Sequence, residues 1–111
     1  MGALIYRLTA ELFKALAHPA RVEILDFLRN GEQCVCHIIA RLEMEQSNVS
    51  QHLAVLKKQS LVTSRKDGMK VMYRISHPEV VDLIDQTARL LERQLTETAE
   101  ALRHLQERNQ P

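Results

Sequence analysis

The chain contains two cysteines, set as Cys34-Val35-Cys36. Paired thiolates are soft ligands, and a soft thiophilic ion such as arsenite, Cd(II) or Pb(II) prefers them to oxygen donors. The same thiols could be oxidised or converted to a persulfide. They could also be small apolar residues flanking the stripe Val35, Ile38 and Ile39. All three readings stand at this point. On a regular helix, residues two apart are rotated by about 200°, so chelation by both sulfurs would require a helix start at this place to loosen.

A second group of chemically capable residues follows. Ser47, Asn48, Ser50, Gln51 and His52 crowd the stretch 46–58, and such short hydrogen-bonding side chains read base edges in the major groove of DNA. Ser and Asn also favour helix starts, so a capped polar surface helix is the plainer alternative. Charge decides between them. From Gln46 to Ser76 stand Lys57, Lys58, Arg65, Lys66, Lys70 and Arg74 against a single acid, Asp67, while the rest holds nine bases and thirteen acids. The net charge of +1 therefore hides one basic segment. An ordinary solvated surface would not be segregated in this way, whereas a face that docks a polyanion would be.

The elements that must carry these residues follow from periodicity. Ile5, Leu8, Leu12 and Ala15 predict a helix over about 3–17, and Pro19 opens a second that Asn30-Gly31 closes after Arg29. Val35, Ile38, Ile39 and Leu42 predict a short third helix over about 33–42. After a polar break, Val49, Leu53 and Leu56 predict a fourth over about 46–59. That succession is a helix-turn-helix. Alternation of period two then predicts strands through Val62–Lys66 and Val71–Ile75, with Asp67-Gly68 as the hairpin turn and a basic tip. The last helix is expected from near Pro78 to about Arg108. Its 4-3 series Ile84, Ala88, Leu91, Leu95, Thr98, Leu102 and Leu105 suits coiled-coil-like packing. A small core cannot cover so long a helix, so its far end should meet a second subunit. The expected fold is mainly α with a two-stranded β-hairpin: a winged helix-turn-helix with long terminal helices.

Length and composition set the bounds. A chain of 111 residues with 45% hydrophobic and 26% charged residues predicts a single domain spanning 1–111. No stretch is apolar enough to span a membrane. The N-terminal Met-Gly-Ala-Leu-Ile-Tyr-Arg lacks the order of a signal peptide, so a cytoplasmic protein with reduced thiols is expected. An enzyme is disfavoured, since no glycine-rich phosphate loop, HExxH or cofactor fingerprint occurs. His18 and His77 precede prolines and suit helix starts, and His104 lies near a fraying end.

Taken together, Leu16-Ala17-His18-Pro19-Ala20-Arg21-Val22-Glu23-Ile24-Leu25, Ser47-x-Val49-Ser50-x-His52-Leu53-x-x-Leu56, Leu61-Val62 and Met72-Tyr73-Arg74-Ile75 resemble the ArsR/SmtB family over roughly residues 8–100. That resemblance implies a dimeric winged-helix repressor of operator DNA that lets go when a metal, metalloid or other small signal binds. It places Ser47, Asn48, Ser50, Gln51 and His52 on the recognition helix and Arg65, Lys66 and Lys70 on the wing. It places the first and last helices at the dimer interface, here through Ile5, Leu8, Leu12, Ile84, Leu91, Leu95 and Leu102. Lys57, at the end of the recognition helix, joins the expected DNA contacts. Glu32-Gln33-Cys34-Val35-Cys36-His37-Ile38 is similar to the family's arsenic-type box, which implies As(III), then Cd(II) or Pb(II), as inducer at Cys34 and Cys36 and no obligatory cofactor. Ile39 stands where some members carry a third cysteine, and no N-terminal cysteine occurs. A third ligand must then be His37, water, an exogenous thiol or a partner-chain group. A redox- or persulfide-responsive repressor and a ligand-independent DNA-binding module remain the alternatives.

Overall fold

The computed structural model describes residues 2–110. In them the chain runs α1 (Gly2–Leu16), α2 (Pro19–Leu28), β1 (Gln33–Cys34), α3 (Val35–Leu42), α4 (Gln46–Lys58), β2 (Val62–Asp67), β3 (Lys70–Ile75) and α5 (Glu79–Arg108). Each helix start has a local cause. His18 takes an extended backbone, and its side chain accepts the Ala20 N–H while Pro19 supplies a first-turn residue that has no N–H to satisfy. Cys34, also extended, caps α3 by accepting the Cys36 N–H. Gly31 (φ 138°) turns the chain out of α2.

The core is built by α2, α3, α4 and the base of the hairpin. Leu25, Ile38, Val49 and Leu56 are fully buried, with Ile24, Leu28, Leu53 and Val62 at 2% exposure or less. Each such side chain contributes about 1.5–3 kcal/mol through loss of apolar surface from water. An eight-residue helix such as α3 is too short to persist alone. Ile38 is its one fully buried residue, and packing there fixes it under α4.

The end of α4 is locked to the hairpin. Ser60 adopts a left-handed backbone (φ 58°). The Leu61 N–H donates to Leu56 O and the Ser60 N–H to Lys57 O, both at 3.0 Å, which is the bonding of a Schellman motif. Leu61 is buried beneath it. The Ser76 N–H then bonds Leu61 O, and the Ser76 hydroxyl donates to Ser60 O. The hairpin base is thereby tied to the exit of α4.

Two expectations need correction. The third helix does not begin at 33: Gln33 and Cys34 form a short strand, antiparallel to β3 in the register Gln33↔Tyr73 and Cys34↔Met72. The sheet therefore has three strands in the order β1-β3-β2. The hairpin turn is Gly68-Met69 rather than Asp67-Gly68, because Asp67 pairs with Lys70. Gly68 takes the positive φ (63°) that the turn requires.

The packed unit reaches Val81, and the rest of α5, from Asp82, is a second unit consisting of one helix. From Gln86 onwards its described residues are all exposed in the single chain. Among the described residues no helix is long and apolar enough to cross a membrane.

Candidate functional site

Burial of Val49, Leu53 and Leu56 sets the rotation of α4. It leaves Ser47, Asn48, Ser50 and Gln51 exposed, as their spacing predicts, whereas His52 is half-buried on the flank. The ring of His52 lies 4.3 Å from that of His18, centroid to centroid. Its Nδ1 accepts a hydrogen bond from Arg21 Nε at 3.2 Å. Burial, with His18 and Arg21 beside it, pushes His52 below its ordinary pKa of 6.5 and favours the neutral ring. His18, expected at a helix start, caps α2 through its side chain and also supports this ring. Arg21, in the first turn of α2, lies outside the residues that spacing assigns to the site; its place just after the His18-Pro19 helix start is the available signal.

On the wing, Lys57 Nζ donates to Ser64 Oγ at 2.7 Å. Arg65 grips both carboxylate oxygens of Glu32, at 2.8 and 2.6 Å. This bond to Arg65 holds the Glu32 carboxyl below its usual range. Of the wing cations expected at DNA, Arg65 thus has an internal counter-ion. Lys66 and Lys70 are exposed and carry no ion pair among the described residues.

The thiol pair has a different geometry from the one expected. Cys34 is buried and Cys36 exposed, and the structure joins them in a disulfide with Cα atoms 5.2 Å apart. The 200° argument fails because Cys34 is not helical: as cap it keeps an extended backbone, and its sulfur folds over the first turn toward Cys36. Both sulfurs converge with α3 intact. The ring so closed spans one intervening residue, and cross-links over such short loops add little stability through chain entropy. Among the described residues no group of three His, Cys, Asp or Glu is placed to hold a metal ion.

The residues expected at a dimer interface lie on two helices. On α1, Ile5 and Leu8 are exposed and Leu12 half-buried; on α5, Ile84 is half-buried and Leu91, Leu95 and Leu102 are exposed. Leu95 is 70% exposed in the single chain.

A helix-turn-helix whose second helix presents a polar face, followed by a basic hairpin wing, defines a DNA-binding transcriptional regulator, not an enzyme. The chain belongs to the arsR family of bacterial regulatory proteins, whose profile matches residues 18–64. The HTH-type transcriptional regulator Rv0081 of Mycobacterium tuberculosis is 36% identical over 102 residues, 91% of this chain and 90% of that protein. Its crystal structure matches with a TM-score of 0.80 at 36% identity, over 86% of this chain and 96% of that one. The arsenical resistance operon repressor of Staphylococcus xylosus is 40% identical over 81 residues, 73% of this chain and 77% of its own length. The solution structure of a homodimeric winged helix-turn-helix DNA-binding domain from Mycobacterium bovis matches with a TM-score of 0.74 at 32% identity. It covers 81% of this chain and 83% of that one.

Proposed function

We propose that this chain is a homodimeric repressor that holds a two-fold symmetric duplex and releases it when arsenite binds Cys34 and Cys36, with Cd(II) and Pb(II) as the next inducers. The observation that carries this reading is the convergence of the two sulfurs at the junction of β1 and α3. In the reduced protein, two thiolates placed there suit a soft ion, with hydroxide, an exogenous thiol or a partner-chain group as third ligand. Ser47, Asn48, Ser50, Gln51 and His52 meet base edges, and Lys57, Arg65, Lys66 and Lys70 meet phosphates. The apolar faces of α1 and α5 build the dimer, in keeping with the homodimeric M. bovis domain. The kinship with a staphylococcal arsenical repressor supports the choice of ion.

Coupling between the two ligands has a physical route. Cys34 caps the helix beneath α4 and pairs through its backbone with Met72 of the wing. An ion that re-aims the Cys34 sulfur therefore acts on both DNA-facing elements. If it fits only the conformation that binds DNA weakly, the two ligands are mutually antagonistic.

A second reading is favoured by the observed Cys34–Cys36 bond: oxidation of the pair, rather than ion capture, is the signal. One experiment separates these. The reduced protein on duplex DNA selected from a randomised pool is challenged with arsenite, Cd(II), Pb(II), Zn(II) and a mild oxidant. Release by arsenite, absent in Cys34→Ser and Cys36→Ser, supports ion sensing. Release by oxidant alone, reversed by a dithiol, replaces it with redox sensing, and no release by any of them leaves a ligand-independent module.

A further inference from the structure

Arg21 joins three elements. Its Nη1 donates to Ala15 O at 3.2 Å and to Lys14 O at 3.5 Å, which ties the guanidinium to the end of α1. Its Nε donates to His52 Nδ1 on α4. A guanidinium keeps its protons and accepts no hydrogen bond, so this contact has only one direction. His52 Nδ1 must be the bare nitrogen, and in the neutral ring the proton resides on Nε2. The ring is held from a second side by His18, whose own Nδ1 is fixed by the Ala20 N–H.

The other end of that ring is unengaged. No hydrogen bond engages His52 Nε2 among the described residues, and no described side-chain nitrogen or oxygen is buried without a partner. Nε2 therefore keeps some access to solvent. His52 also stands four residues after the exposed Asn48, which puts the two on one side of α4.

We infer that Arg21 is a positioning residue for sequence recognition: it locks His52 as an Nε2–H donor that reads a hydrogen-bond acceptor on a base edge. The inference rests on α4 being the helix that reads DNA. Purine N7, guanine O6 and thymine O4 would satisfy such a donor, whereas the amino groups of adenine and cytosine would not. Without Arg21 the neutral ring divides between its two tautomers and presents donor and acceptor alike, so discrimination falls while phosphate contacts persist.

Two measurements test this. Nitrogen-15 NMR of the histidines in the full-length free protein should show His52 protonated at Nε2 alone near neutral pH, and a tautomer mixture in Arg21→Met. Binding should then be compared on the duplex that the wild type selects from a randomised pool and on a scrambled duplex. Arg21→Met should lower the ratio of the two affinities by about tenfold, one hydrogen bond's worth of base discrimination, with the salt slope unchanged. His52→Gln, whose amide needs no lock, should lose a similar ratio and be indifferent to Arg21→Met added to it. Arg21→Gln, whose amide can donate to Nδ1 or accept from it, imposes no tautomer and should behave as Arg21→Met; it carries the test if Arg21→Met fails to fold. A wild-type His52 protonated at Nδ1, a ratio unchanged in Arg21→Met, or losses that add in the double variant would each overturn the inference. So would an equal loss on both duplexes with a shallower salt slope, which would assign Nε2–H to a phosphate. If the wild type selects no duplex while the NMR still reports the lock, the DNA reading of α4 has failed instead.

Discussion

The two cysteines should differ sharply in what they do for folding and not at all in what they do for release. Cys34 is 4% exposed and its sulfur accepts the Cys36 N–H at 3.2 Å as the cap of α3. Cys34→Ala in the reduced protein removes that cap, worth about 1 kcal/mol. It also leaves a small void where the sulfur was packed, so the total cost is about 1–2 kcal/mol. Cys36 is exposed on the first turn, and Cys36→Ala should stay within about 0.5 kcal/mol of wild type. At roughly 4–8 °C per kcal/mol for a domain of this size, the first substitution should lower Tm by roughly 5–15 °C and the second by under about 4 °C. Circular-dichroism melts in excess reductant, at equal protomer concentration, read this directly. Cys34→Ser restores a capping oxygen and should recover most of the loss. Fluorescence anisotropy on the selected duplex then asks about function: all these variants should bind and none should release with arsenite. Equal destabilisation by Cys34→Ala and Cys36→Ala would refute the cap-and-burial asymmetry. Release from either serine variant would refute the pair as the switch.

Other outcomes follow from the same geometry. Ser50→Ala or Gln51→Ala should reduce discrimination between selected and random duplex by about 1–3 kcal/mol per lost base contact, whereas Lys66→Ala should weaken both and flatten the salt slope by roughly one unit; uniform weakening by the α4 substitutions would count against their role. Leu91→Glu or Leu95→Glu should give monomers that bind DNA weakly, because a charge would be buried without a partner at the helix seam; sedimentation of the wild type as a monomer at micromolar concentration would sink the dimer. Stability should fall as pH drops below about 6.5, because burial, with His18 and Arg21 alongside, holds the folded-state pKa of His52 below its ordinary 6.5 and the unfolded chain binds the proton first. Glu32 adds a loss in the same direction below about 4.5, as the Arg65 bond is protonated away. Urea unfolding at pH 7.5, 6 and 5 checks this, and an unchanged pH dependence in His52→Gln would contradict it.

Local pattern carried much of this structure and tertiary pairing carried the rest. Val49, Leu53 and Leu56 recur at the helical period, so the exposed face of α4 could be read without coordinates. Alternation through Val62–Lys66 and Val71–Ile75 with Gly68 between announced the wing, and only the turn's position slipped by one residue. β1 could not be read: two residues display no period, and the partners Tyr73 and Met72 lie far along the chain. That omission propagated to the thiols, since a helix begun at 33 turns Cys34 and Cys36 apart while an extended cap brings them together. The bonds Arg21–His52 and Arg65–Glu32 link residues 31 and 33 apart. No spacing rule reaches that far, although each residue type was in plain view.

The two-residue turn at Gly68-Met69 fixes the length of the wing in discrete steps. Strand side chains alternate between faces, so one extra residue in each strand would advance the tip by about 3.3 Å and exchange the opposite faces that Lys66 and Lys70 occupy. Only insertion of two residues per strand, about 6.7 Å of added reach, restores the original faces. Variants with longer wings should therefore evolve by paired codon insertions on both flanks of the turn. A hairpin graft intended to lengthen the footprint on DNA has to respect the same parity.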